Sequence, residues 1–120
     1  MKLNRVMPNY LKAHFQNELK ISEEAWVNGN LLKSWHHLER AHILGQAYPV
    51  PHTYVHWLML VFGFRIKSFS EIVGQLPRLL VGGVKSFVGT IPVGNTGGAN
   101  VPPLKPMTIP ADLAEMMKKP

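Results

Sequence analysis

The stretch that decides the fold covers residues 28–45 and reads NGNLLKSWHHLERAHILG. It opens with Asn-Gly-Asn, a combination that ends a preceding helix and marks a turn. After the turn, small and apolar residues recur at steps of three and four, the period of one α-helical face; they are Leu31, Ser34, Leu38, Ala41 and Gly45. The pattern predicts a helix over about 31–44, with Gly45 as its C-terminal stop.

Helices are also predicted on both sides of this stretch. Before it, Pro8 suits a first helical turn, and the apolar residues that follow have helical spacing, which predicts a helix over 9–27. After it comes a short rigid link, 48–51. Its last residue, Pro51, can open a third helix. Proline has no backbone N–H, but an N–H in the first turn of a helix has no partner within the helix, so nothing is lost there. That helix is expected to cover 51–65.

The C-terminal half contains a fourth helix, a loop and a last short helix. Ser68 and Glu71 have the spacing of a capping box and predict a helix up to about residue 88, kinked or interrupted at Pro77. The segment 90–110 is rich in Gly, Pro, Asn and Thr, which predicts a loop without regular structure. A helix over 111–118 should follow it, with acidic residues early and lysine late, as the helix dipole prefers.

These elements predict one all-α domain over 1–120, with a helical body at about 8–89. Hydrophobic residues make up 46% of the chain and charged residues 17%, a balance typical of globular proteins. The net charge of +6 is scattered, and no nucleic-acid motif is present, so no specific nucleic acid is expected. The longest apolar run, 57–64, is too short to cross a bilayer, and no signal peptide is apparent, so we expect a cytoplasmic protein.

Part of the first predicted hairpin resembles a tetratricopeptide repeat. The turn at Gly29 is followed by small and apolar residues at the spacing of the second repeat helix, and the match covers about one repeat; these residues are Ser34, Leu38, Ala41 and Leu44. The resemblance implies antiparallel helical hairpins of tetratricopeptide-like geometry.

Three longer motifs cover most of the chain. They are HLERAHILGQ at 37–46, the His-x3-His-Trp-x-Met-Leu pattern at 52–60, and PVGNTGGANV at 92–101. Together they are similar to a family of small bacterial proteins known as domain of unknown function 3703. Members of that family often occur near metal-resistance genes, so the resemblance favours metal handling by association and implies no particular reaction.

Four residues of metal-binding type are predicted to converge. Glu39 and His42 lie three residues apart on the second helix, and His52 and His56 lie four apart on the third, so each pair shares a helical face. The short link makes the two helices antiparallel, which places His42 opposite His52 and Glu39 nearer His56. The sequence therefore predicts a mononuclear site for a divalent transition metal.

The chain has no cysteine, so the ligands must be imidazole, carboxylate or thioether. Zinc, iron, nickel and copper all suit such a set, and haem is less favoured. Met59, one turn beyond His56, would add a soft ligand that favours copper. His37 is about 140° from His42 around the helix, on the opposite flank, and is expected to support a ligand or to serve as an extra one.

Other interpretations of these residues stay open. The histidines can equally be interior groups that bond to backbone and to Glu39, or His52 and His56 can act as an acid and a base. The glycine-rich segment could bind an anion through its backbone N–H groups, close over the histidines as a lid, or wrap the helices closely as a tail; the residues concerned are Gly94, Asn95, Thr96, Gly97, Gly98 and Asn100.

Three functions follow from these observations. The leading hypothesis is a small metal-binding helical protein in metal handling or resistance. The second is a tetratricopeptide-like module that binds a protein partner or forms a homodimer, with structural histidines. The third is a small metal-dependent enzyme. The segment 76–87 could lie on an acidic membrane surface, but packing against the other helices or a second subunit is favoured.

Overall fold

The structure is a computed structural model that describes residues 6–88, 95–99 and 106–119, with backbone alone over 80–88. Its described part contains five helices and no strand, which confirms the all-α prediction. The helices are α1 (Asn9–Val27), α2 (Leu31–Gly45), α3 (Pro49–Arg65), α4 (Phe69–Val88) and α5 (Ala111–Met117).

Each helix from α1 to α4 runs antiparallel to the next. On α1 and α2, the Ser22 hydroxyl bonds to Ser34 at 2.8 Å, while Glu18, one turn earlier on α1, bonds to His37, one turn later on α2. The same reversal relates α2 to α3, and α3 to α4. Because the links between α1 and α4 are short, each of these helices packs directly on the next, and α5 returns to contact α1 and α2.

The turns at the ends of α1 and α3 are of one type. After α1, Gly29 has a φ of 76°, and the Asn30 N–H reaches back to the Ala25 carbonyl at 2.8 Å. After α3, Lys67 has a φ of 57°, and the Ser68 N–H bonds to the Gly63 carbonyl at 2.8 Å. Both are Schellman caps, in which a left-handed residue lets the last carbonyls of the helix be satisfied.

One core joins α1, α2, α3 and α5. Leu113 of α5 is fully buried, so the C-terminal helix belongs to the core rather than to the surface. The other buried members are Met7, Leu11, Phe15, Leu38, Ala41, Ile43, Leu44, Ala47, Tyr48, Val55, Met59 and Phe62. This packing fixes the α2–α3 hairpin, which carries the histidines.

Several details differ from the sequence predictions. The third helix begins at Pro49, two residues early, because Pro49 also suits a first turn. Gly45 is the last residue of α2 rather than a left-handed stop; a β-carbon there would lie 2.9 Å from Phe15, so close packing explains the glycine. Helix α4 continues through Pro77 without interruption.

The predicted capping box of α4 is half formed. The Glu71 N–H reaches the Ser68 hydroxyl at 3.4 Å, as such a box requires. The Glu71 carboxylate does not return to Ser68, whose N–H is already bonded to Gly63, and it turns instead toward Gln75 and Ala99. About half of the predicted loop, 90–110, lies outside the described residues, which omit 89–94 and 100–105. The domain division and the tetratricopeptide-like geometry stay predictions.

Candidate metal centre

Three histidines meet where α2 and α3 are joined. His42 lies in the last turn of α2, His52 in the first turn of α3, and His56 one turn further along α3. The link of three residues, 46–48, turns the chain back so that the two histidines of α3 face His42. His42 and His56 are buried, and His52 is half-buried.

The three side chains point their Nε2 atoms at one another. The distances between Nε2 atoms are 3.1 Å for His42 and His56, 3.0 Å for His42 and His52, and 3.0 Å for His52 and His56. The ring centroids are farther apart, at 4.7 to 4.8 Å. The rings therefore converge tip first on one point, an arrangement that could hold a metal ion. We call these residues the histidine triad.

A hydrogen bond at Nδ1 determines which nitrogen of His42 carries the hydrogen. Its Nδ1 lies 2.6 Å from the backbone carbonyl oxygen of Asn95. A carbonyl can only accept, so Nδ1–H is the donor, and in the neutral ring Nε2 keeps its lone pair. The lone pair of His42 points into the triad.

His56 is held in the same way by Gln75. The His56 Nδ1 lies 2.6 Å from Gln75 Oε1, and the Gln75 Nε2 donates to Glu71 at 2.9 Å and to the Gly97 carbonyl at 2.8 Å. Because the amide nitrogen faces acceptors, the amide oxygen faces His56 and accepts from Nδ1–H. In the neutral ring His56 also directs a lone pair into the triad.

The surroundings keep His42 neutral. Burial lowers the pKa of His42 well below its ordinary value of 6.5, and the neighbouring His56 and His52 lower it further. The bond to Asn95 opposes this trend, and Arg78 adds to it. A neutral imidazole is the form that binds metals.

A short segment, Asn95–Ala99, covers the triad, and we call it the cover segment. Gly97 has a φ of 85°, and a β-carbon on it would lie 2.5 Å from His42 Cδ2 and 2.7 Å from Nε2. Two backbone amides of the cover segment bond within the protein: the Gly97 N–H bonds to Asn95 Oδ1 at 2.8 Å, and the Ala99 N–H bonds to Glu71 at 2.9 Å. Gly94 and Asn100, which the sequence also offers as residues of an anion site or lid, lie outside the described residues, and that role stays a prediction.

A known protein family matches nearly the whole chain. Residues 9–117 match the family described as Protein of unknown function (DUF3703). The chain belongs to that family. No curated protein and no solved structure matches it. In the described part of this DUF3703 protein, no helix is both long and apolar enough to cross a membrane.

Glu39, the fourth predicted ligand, stands apart from the triad. Among the described residues, the group with converging ligand atoms contains only the three histidines. Glu39 is half-buried; burial raises its pKa, the nearby Thr96 hydroxyl lowers it, and Glu71 raises it. The Thr96 hydroxyl makes no hydrogen bond of standard geometry to the described residues. The role of Glu39 as a ligand stays a prediction.

The two supporting residues predicted from the sequence lie on different sides of the site. The His37 Nδ1 donates to Glu18 of α1 at 2.6 Å, on the far flank of α2. The Met59 sulfur is fully buried and lies 3.6 Å from Gln75 Nε2, next to the amide that holds His56. Of these two residues, only Met59 contacts a residue that is bonded to the triad.

Three polar residues have roles that the sequence did not predict: Gln75 and Glu71 beside the triad, and Glu18 on α1. Gln75 and Glu71 are four residues apart on α4, so their side chains are neighbours on one helical face, and this polar pair in an apolar helix was a usable signal. Glu18 falls on the buried face of α1 with Leu11 and Phe15, where a carboxylate needs a partner. It finds Arg40 and His37.

Proposed function

We propose that this DUF3703 protein binds a divalent transition-metal ion through the Nε2 atoms of His42, His52 and His56 and serves in metal handling. The observation that carries the proposal is the pair of lone pairs that His42 and His56 direct at each other across 3.1 Å. Two such lone pairs repel unless a hydrogen on the His52 Nε2, 3.0 Å from both, or a bound cation lies between them, and a cation turns the repulsion into two bonds.

The size of the triad suits such an ion. Nitrogens 3.0 to 3.1 Å apart lie about 1.8 Å from the centre of their triangle. An ion with metal–nitrogen bonds of about 2.0–2.1 Å could therefore be held by all three Nε2 atoms at once. With three protein ligands, such an ion would keep further positions for other ligands.

The donor set narrows the class of metal. Neutral imidazoles without thiolate suit zinc, copper, nickel and iron(II) better than calcium or magnesium. We propose Glu39 as the fourth ligand. Its carboxylate would bind the ion directly if the side chain rotated, or otherwise through a bound water. Met59 would approach only if it left Gln75, which would favour copper.

A second candidate function follows from the number of histidines. Three protein ligands with an open position are the pattern of catalytic zinc sites, in which the metal lowers the pKa of a bound water. A small metal-dependent hydrolytic enzyme is therefore the alternative. A loaded protein that hydrolyses an activated ester, with activity lost in His56→Ala, would favour it over simple metal carriage.

Metal binding itself is the decisive test. Untagged protein is purified, its metal content is measured by elemental analysis, and the metal-free form is titrated with Zn²⁺ and Co²⁺. We expect one ion per chain, and at least a hundredfold weaker binding in His42→Ala and His56→Ala. His14→Ala, the same change at an exposed position of α1, is the matched control. Equal affinity in all four proteins would overturn the proposal.

A further inference from the structure

Gln75 is a fully buried polar side chain outside the triad, and every polar atom of its amide is engaged. Its oxygen faces His56 Nδ1 at 2.6 Å. Its nitrogen donates to Glu71 at 2.9 Å and to the Gly97 carbonyl at 2.8 Å, and it lies 3.6 Å from the Met59 sulfur. The amide thus joins α3, α4 and the cover segment at one point.

These contacts allow one orientation of the amide. If the amide were turned over, its oxygen would face the Glu71 carboxylate and the Gly97 carbonyl, and both contacts would become repulsive. Buried polar groups without partners cost about 1–3 kcal/mol each, so the turned-over form is strongly disfavoured. The acceptors around the nitrogen therefore hold the oxygen toward His56.

The fixed oxygen in turn selects the tautomer of His56. A neutral imidazole carries one hydrogen, and its position follows from the hydrogen bond that the other nitrogen makes. With the Gln75 oxygen at Nδ1, the hydrogen stays on Nδ1 and Nε2 remains bare. Without that acceptor, the hydrogen would move to Nε2, where the Nε2 atoms of His42 and His52 lie within 3.1 Å and can accept it.

We infer that Gln75 is a positioning residue: it holds His56 in the tautomer that offers Nε2 to a metal, and it ties that ring to the cover segment through Gly97. The use of this tautomer rests on the proposed metal function, whereas the tautomer itself does not. Outer hydrogen bonds of this kind typically change metal affinity 10- to 100-fold. Glu71 completes the arrangement because it fixes the Gln75 nitrogen and the Ala99 N–H together.

The test uses Gln75→Met, which keeps the length of the side chain and removes its strong acceptor and both donors. Nitrogen-15 NMR of the metal-free full chain reports the His56 tautomer directly. We expect hydrogen on Nδ1 in the original protein and a shift toward Nε2 in Gln75→Met. Zn²⁺ affinity should fall about 10- to 100-fold. Gln16→Met, an exposed change on α1, should alter neither reading.

A double variant separates positioning from simple packing. In Glu71→Gln/Gln75→Glu the acceptor toward His56 is restored as a carboxylate, while the new amide at 71 can donate to it and still accept from Ala99. The Nδ1–H tautomer and most of the Zn²⁺ affinity should return, although the bond to Gly97 is replaced by a repulsive contact between two acceptors, which weakens the hold on the cover segment. Gln75→Glu alone places two carboxylates together and should not fold as stably.

The outcomes distinguish the two proposals. An unchanged His56 tautomer in a folded Gln75→Met protein overturns the inference, whatever its metal affinity. A shifted tautomer in Gln75→Met together with no metal binding by the original protein supports the positioning role and overturns the proposed function. If Gln75→Met fails to fold, the tautomer in the double variant decides: hydrogen on Nε2 there overturns the inference.

Discussion

The α-carbon of Gly97 lies against the imidazole of His42, so close that a β-carbon would be 2.5 Å from ring atom Cδ2. Two residues before it in the same segment, the Asn95 carbonyl accepts from the other side of that ring, at Nδ1. One histidine is thus clamped by a segment more than fifty residues away in sequence. The triad and its cover form one structure, and the following predictions test its parts.

Gly97→Ala should displace the cover segment. The added methyl group clashes with His42 and also strains a backbone at φ 85°, so unfolding free energy should fall by about 2–4 kcal/mol, from overpacking and left-handed strain together. Gly29→Ala is the matched control, since Gly29 has a φ of 76° with nothing within 4 Å of its added β-carbon. Urea unfolding of both variants measures the difference. Equal losses would show that His42 is not clamped.

Acid should destabilise the fold through His42. Its folded pKa is lowered by burial and by the other two histidines, while its unfolded pKa is near 6.5. The unfolded chain therefore takes up a proton first as the pH falls, and stability is lost below about pH 6.5 until the lower folded pKa is reached. The slope is up to about 1.4 kcal/mol per pH unit for one proton. Urea titrations at several pH values should show it, with a shallower slope in His42→Gln; an identical slope would contradict the assignment.

Metal binding should stabilise the protein and reduce local opening of the cover segment. At a free Zn²⁺ concentration about one hundred times Kd, linkage adds about 2.7 kcal/mol to the free energy of unfolding. A rise in Tm that a chelator reverses, with slower hydrogen exchange at the Gly97 and Ala99 amides, is the expected result. These amides bond to Asn95 and Glu71, next to His42 and Gln75. A Tm rise of the same size in His56→Ala would point to binding elsewhere.

Glu18→Gln should weaken the fold and leave the metal site intact. The Glu18 carboxylate is 2% exposed and receives bonds from His37 at 2.6 Å and Arg40 at 2.8 Å, while Arg40 also binds Asp112 of α5. Loss of this buried charge should cost about 2–4 kcal/mol.

The control is Glu23→Gln, which removes an exposed carboxylate 3.9 Å from Arg65 and should cost under about 1 kcal/mol. Thermal unfolding compares the two. A changed Zn²⁺ affinity in Glu18→Gln would contradict the separation of this network from the triad.

The sequence predicted that the three histidine side chains converge, because their relative positions are set by local structure. His52 and His56 share a face by helical spacing, and a link of three residues makes His42 face them whatever else the chain does. Glu39 obeys the same spacing from His42, yet its carboxylate does not converge with the three rings. Spacing fixes the direction in which a side chain leaves the helix, but its reach and rotamer depend on the neighbours it meets.

The sequence by itself determined the helices, their breaks and the pairing of α2 with α3, since periodicity, Asn-Gly-Asn and the prolines act over a few residues. Only the tertiary structure decided what surrounds the triad. Gln75, Glu71 and the cover segment lie 15 or more residues beyond His56, the last histidine in the chain. Their hydrogen bonds are strong because these groups are buried together. Burial is a property of the packed chain, so the tautomers and the low pKa of His42 could not be read from spacing.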